Sequence, residues 1–181
     1  MRQRSFSIAL GGVFGALSVV CMLLGVIIPI AMYIAPALAA LLVMVVKEEC
    51  GDTTAWTLYG AVSIISLLLV PDKEVAFVYV FLLGYYPMLK PRLDTIRSRW
   101  LRLAAKLGFF NAALAVSYSI LLFLLMPGWT HMAHNTVEIL TTLFIWVMGN
   151  LSFYLFDRAM VILLRLYKLR WQGRLHRLLR H

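Results

Sequence analysis

Apolar residues in this chain run in long unbroken stretches, without the alternation or three-four spacing that reserves one face for water. A helix needs about 20 apolar residues to cross the hydrocarbon core of a bilayer. Measured against that length, the pattern predicts six helices. They run from Phe6 to Ile28, ending at Pro29, and from Ala31 to Val46, closed by Lys47-Glu48-Glu49. The third runs from Trp56 to Val70, closed by Pro71, and the fourth from Val75 to Leu89, ending in Gly84-Tyr85-Tyr86-Pro87. The fifth runs from Leu103 to Leu125, closed by Pro127-Gly128, and the sixth from Ile139 to Leu164. The second to fourth are short and have to stand more upright or lean on neighbours. In hydrocarbon every backbone polar group has to be satisfied internally, which selects helices. Pro36 predicts an irregular outer end for the second helix. Only Pro29 and Ile30 separate the first two, which leaves a tight hairpin, favoured by the prolines and the length, or one helix from Phe6 to Val46. The expected fold is an all-α integral membrane bundle, one domain over residues 1–181.

Composition supports a lipid environment. Of 181 residues, 62% are hydrophobic and 14% charged, against roughly 45–50% and about 25% in soluble domains. The net charge of +9 would suit nucleic acid, but its placement favours a membrane and no nucleic-acid partner. With the N-terminus inside, the inner segments hold Arg2, Arg4, Lys47, Lys90, Arg92, Arg97, Arg99, Arg102 and Lys106. They also hold Arg158, Arg165, Lys168, Arg170, Arg174, Arg177 and Arg180. Only Lys73 of the 17 basic residues lies outside. An odd number of crossings would destroy this asymmetry, so the positive-inside rule gives six crossings, with both termini cytoplasmic in the plasma membrane. Arg158 is expected to snorkel or to pair with Asp157. The first run is too long for a signal-peptide core and lacks a cleavage site, so it is expected to remain as a transmembrane helix. Cys21 and Cys50 fall at different depths, against a disulfide. Two basic segments, at about 90–106 and 165–181, read as amphipathic helices on the anionic inner leaflet, serving as anchors or also as docking points for a cytoplasmic partner.

Candidate chemistry is sparse. No catalytic motif or phosphate-cradling glycine loop occurs, so no enzyme activity and no cofactor are expected. No Asp, Glu, Lys or Arg falls at the centre of a predicted helix, unlike ion-coupled carriers. Polar and aromatic residues gather at the predicted outer mouth instead: Tyr33, Asp72, Lys73, Glu74, Tyr79, Trp129, His131, His134, Asn135, Glu138, Trp146 and, deeper, Asn150. Aromatic walls with a few fixed polar groups suit a small, partly planar ligand, and an ordinary interfacial aromatic belt has the same composition. His131, His134 and Glu138 have metal-ligand spacing on a helix, but Pro127 and Gly128 blur where a helix starts, and no metal site is expected. Gly11, Gly12, Gly15 and Ala16 form a small-residue stripe on the first helix, suited to internal packing or to docking a partner subunit. Asn111 is expected to make an interhelical hydrogen bond.

The chain resembles the substrate-binding S components of energy-coupling factor (ECF) transporters over nearly its whole length. The resemblance lies in six short helices, basic inner ends, and Gly12-x-x-x-Ala16 where the family has A-x-x-x-A. The Pro29–Pro36 stretch, Pro71-Asp72-Lys73-Glu74 and Gly84-Tyr85-Tyr86-Pro87 add to it. Gly12 departs from the motif but keeps its smallness. The resemblance implies that a vitamin or similar micronutrient is captured at the outer face for ATP-driven import. The subunit would dock through Gly12 and Ala16 on a T component driven by two ATPase subunits. The loop between the first two helices would act as a lid, and the whole subunit would topple in the membrane to deliver its ligand. A membrane scaffold of the MreD (cell-shape) type has a similar size and helix number and is the alternative, and a lipid-modifying membrane enzyme is a third class.

Overall fold

The computed structural model describes residues 2–27, 31–125 and 136–169, with side chains at 5–27, 31, 33–120 and 140–169. All elements among them are helical. They are α1 (Arg2–Ile27), α2 (Ala31–Cys50), α3 (Asp52–Leu69), α4 (Lys73–Phe77), a π-helical segment (Val78–Leu83), α5 (Tyr86–Asp94), α6 (Arg99–Leu125) and α7 (Thr136–Tyr167). Four stretches are long and apolar enough to cross a membrane: Ser5–Ile27, Asp52–Leu69, Arg99–Ile120 and Leu140–Tyr167. The chain forms two compact units, Met1–Met132 and Ala133–His181.

In the first unit α2 is the central helix, packed on α1, α3 and the π segment. Its Ala35, Ala39, Ala40, Val43 and Val46 are buried. Ala39, Val43 and Val46 share one core cluster with Val19 and Met22 of α1, Leu58 and Val62 of α3, and Val75, Ala76 and Tyr79 beyond. Small residues allow this closeness. A Cβ built on Gly25 of α1 would lie 2.5 Å from the Cβ of Ala35 and 3.2 Å from the carbonyl oxygen of Ala31. Ten residues along one straight helix would separate these positions by about 15 Å, so the first two apolar runs fold back as separate helices. Pro36 is accommodated inside α2 and fully buried.

The fourth apolar run differs from the single helix its hydropathy predicts. It starts as α4, widens into a π-helical segment, and restarts as α5 at Tyr86 with Pro87 in the first turn. Gly84 closes the wide turn by donating its N–H to the Tyr79 carbonyl at 2.7 Å. A Cβ on Gly84 would come within 2.9 Å of the Tyr59 and Tyr79 rings and 2.7 Å of that carbonyl. Only glycine fits, which explains the Gly84-Tyr85-Tyr86-Pro87 sequence: one residue closes the π turn, and the proline opens the next helix, where no donor is needed.

Residues 90–106 form a corner, not one surface helix. They comprise the end of α5, a turn at Thr95–Ser98 and the start of α6. Thr95 Oγ1 donates to the Arg92 carbonyl at 2.7 Å, and the Arg102 N–H donates to Ser98 O at 2.9 Å. The lysines turn inward. Lys90 and Lys106 are only 8% and 6% exposed, and both reach the Asp94 carboxylate, Lys106 at 2.7 Å and Lys90 at 3.7 Å. At the same end Lys47 donates to the Pro87 carbonyl at 3.0 Å and pairs with Asp52 at 3.3 Å, joining the end of α2 to α5 and α3.

Gly25→Ala is expected to lower stability by about 2 kcal/mol, because the added methyl overpacks against Ala35 and a backbone oxygen. Gly12→Ala, whose added Cβ meets nothing within 4 Å, is expected to be neutral or stabilising by less than about 1 kcal/mol. Asp94→Asn removes the carboxylate from two buried ammonium groups and is expected to cost about 2 kcal/mol. Asp94→Glu is expected to lose less. Thermal unfolding in detergent reads all four.

Candidate functional site

Inside the first unit, α3 turns one face toward the interrupted fourth segment. Trp56, Tyr59 and Ser63 stand on that face at helical spacing, and Tyr79, Val80 and Tyr85 come from the other side. The Tyr59 ring lies 6.0 Å from Tyr79, 6.2 Å from Tyr85 and 5.7 Å from Trp56, and Tyr85 in turn meets Phe109 of α6 at 5.8 Å. These edge-on and tilted pairs hold the rings in fixed orientations.

The hydroxyls in this cluster are treated unequally. Tyr59 Oη donates to the Val80 carbonyl at 2.7 Å, inside the π segment. Tyr79 is fully buried, and its hydroxyl has no hydrogen-bond partner among the described residues. Ser63 Oγ, one turn beyond Tyr59 on α3, is buried beside the Tyr59 hydroxyl without a well-formed hydrogen bond. A buried hydroxyl without a partner costs about 1–3 kcal/mol, which sets the Tyr79 hydroxyl apart from those of Tyr59 and Ser63, which lie against each other. The arrangement offers hydroxyl donors and acceptors between aromatic faces and no charge, a chemistry of recognition for a neutral, partly planar group.

The residues expected at the outer mouth fare differently. Asp72 caps α4, its Oδ1 accepting from the Glu74 N–H at 2.9 Å. Lys73 donates to the carbonyls of Leu67 at 2.9 Å and Val70 at 3.1 Å, closing the end of α3. The Pro71-Asp72-Lys73-Glu74 turn is thus a capping device in which Glu74 remains exposed. Tyr33 is exposed on α2, whereas Tyr79 belongs to the buried cluster. Trp129, His131, His134 and Asn135 lie outside the described residues, and Glu138 lies in α7 with its side chain outside them. On α7, in the second unit, Trp146 is exposed and Asn150 donates to the Trp146 carbonyl at 2.9 Å. No group of three His, Cys, Asp or Glu able to hold a metal occurs among the described residues, and His131-His134-Glu138 falls outside them.

The small-residue stripe of α1 divides. Gly15 faces inward, where a Cβ would meet Leu58 Cδ1 at 3.0 Å. Gly11 is half-buried, with nothing within 4 Å of an added Cβ. Gly12 and Ala16 are exposed. Asn111 donates to the Leu107 carbonyl of its own helix at 2.8 Å. Arg158 donates to the Tyr154 hydroxyl at 3.1 Å. Cys21 and Cys50 are free thiols.

Tyr59, Ser63 and Tyr85 escape a reading based on the outer mouth. Their signal was available: Trp56, Tyr59 and Ser63 follow one helical face of an otherwise apolar helix, where polar side chains turn toward protein. Tyr59→Phe, which loses the bond to Val80, is expected to lower stability by about 1 kcal/mol, whereas Tyr79→Phe, which loses none, is expected to be neutral or stabilising. Thermal unfolding of the ligand-free protein in detergent distinguishes the two.

Comparison of the chain with protein-family models, with curated proteins and with solved structures finds no match.

Proposed function

We propose that this chain is the membrane-embedded substrate-binding subunit, the S component, of an ECF-type importer in the plasma membrane. In this reading it crosses the bilayer six times with both termini cytoplasmic. The 20-residue α2 and the interrupted α4–π–α5 segment supply two crossings beyond the four long apolar helices. It captures a vitamin-like molecule entering from outside, and a T component with two ATPase subunits drives import.

The observation that carries the proposal is the interrupted fourth segment with the unpartnered Tyr79 hydroxyl at its wide turn. Discontinuous helices at membrane depth recur where transport proteins hold substrates, and π turns concentrate at functional sites. The Tyr59, Tyr79 and Tyr85 rings with the Ser63 hydroxyl supply the stacking and hydrogen bonding such a ligand needs. The exposed Gly12 and Ala16 suit close approach of a partner helix. That surface would serve an MreD-type scaffold equally well, but a scaffold has no use for a buried Tyr79 hydroxyl without a partner among the described residues, which favours the binding subunit.

Gentle detergent purification followed by mass spectrometry is expected to find a retained small molecule together with ATPase subunits. Tyr79→Phe is expected to weaken retention about tenfold, the worth of one hydrogen bond. Gly12→Leu and Ala16→Leu are expected to abolish uptake and leave ligand retention intact. A preparation that carries cell-wall proteins and no small molecule would overturn the reading in favour of the scaffold.

A further inference from the structure

The α5–α6 corner separates its cations in a way the sequence does not announce. Lys90 and Lys106 point inward and engage Asp94, the acidic residue of the corner. Three of the four arginines do the reverse, while Arg102 donates to the Asp94 carbonyl at 3.4 Å. Arg92, in the last turn of α5, and Arg97 and Arg99, across the turn, are exposed, and their side chains make no ion pair or hydrogen bond among the described residues. Beside them Trp100 is 83% exposed and Leu101 61% exposed. An indole and a leucine left open next to three guanidinium groups would be unfavourable in plain water.

The position of the corner says what covers it. Arg99 begins the apolar stretch Arg99–Ile120, long enough to cross a membrane. If that helix crosses a bilayer, Arg97 and Arg99 stand at headgroup depth, and Trp100 and Leu101 stand just inside it, where indole rings anchor. The second lipid-facing requirement, negative charge, follows from the arginines. Guanidinium groups bind phosphate through paired N–H donors, and Asp94 is held by the lysines and does not neutralise them.

We propose that the α5–α6 corner is a binding site for anionic phospholipid headgroups, with Arg92, Arg97 and Arg99 contacting phosphate and Trp100 and Leu101 inserted among the upper acyl chains. The lysines organise the corner from within, and the arginines meet the lipid. The inference does not depend on the importer reading. It requires only that α6 cross a bilayer.

The test uses the full chain in detergent, titrated with phosphatidylglycerol or phosphatidylcholine and read by native mass spectrometry. The wild type is expected to retain phosphatidylglycerol in preference to phosphatidylcholine, with the preference weakening as salt rises. The triple variant Arg92→Gln, Arg97→Gln, Arg99→Gln is expected to lose the preference, each arginine contributing roughly fivefold. Because these side chains have no partners among the described residues, the variant is expected to unfold at the wild-type temperature. The corresponding triple arginine-to-lysine variant is expected to keep part of the preference. Equal retention of the two lipids by the wild type, or an unchanged preference in the folded glutamine variant, would overturn the site. So would unchanged lipid retention combined with loss of a co-purifying acidic protein, which would assign the arginines to a protein partner.

Discussion

A backbone surrounded by hydrocarbon has no solvent to complete its hydrogen bonds, so each interruption of a helix has to be closed by the protein itself. This molecule contains interruptions of its helices, and named side chains close them. Lys73 takes two carbonyls at the end of α3, Asp72 caps α4, Tyr59 takes the Val80 carbonyl in the π segment, and Lys47 takes that of Pro87 where α5 begins. The break in the fourth segment is tolerated because α2 and α3 supply its hydrogen-bond partners. What remains after this closure is informative. Tyr79 is buried among the same elements, yet its hydroxyl closes nothing among the described residues.

Charge follows the same logic with a different outcome for each cation. Ammonium groups are compact and can converge on one carboxylate, so Lys90 and Lys106 share Asp94 in the interior. Guanidinium groups are planar, always charged and suited to phosphate, and here they stay at the surface. A basic stretch that looks uniform along the chain thus becomes an internal clasp beside a set of exposed arginines. The clasp joins α5 to α6 and leaves Trp100 and Leu101 facing outward.

Small residues are also divided by the fold. Gly15, Gly25 and Gly84 each sit where an added methyl would strike a neighbour, and they let α1, α2, α3 and the π segment pack closely. Gly12 meets nothing. Glycines with the same local appearance therefore have opposite consequences: three tighten the first unit, and Gly12 leaves its stretch of α1 exposed.

The helical class and the membrane-length apolar helices were legible in the sequence, because hydropathy and segment length are local properties of contiguous residues. So was the chain reversal after Ile27, signalled by prolines, whereas the break and restart within the fourth run were not. The roles of the polar residues were not. Lys73 looked like a ligand contact and is a helix cap, Lys90 and Lys106 looked like surface anchors and are buried, and Tyr59, Ser63 and Tyr85 did not stand out. Each of these outcomes depends on how one helix is rotated against another and on partners as distant along the chain as Tyr59 and Val80 or Asp94 and Lys106. Sequence by itself therefore determined that the chain is helical and suited to lipid. The packing of the helices settles which hydroxyls and cations are bonded internally, because hydrogen bonds and ion pairs require atoms to meet in space.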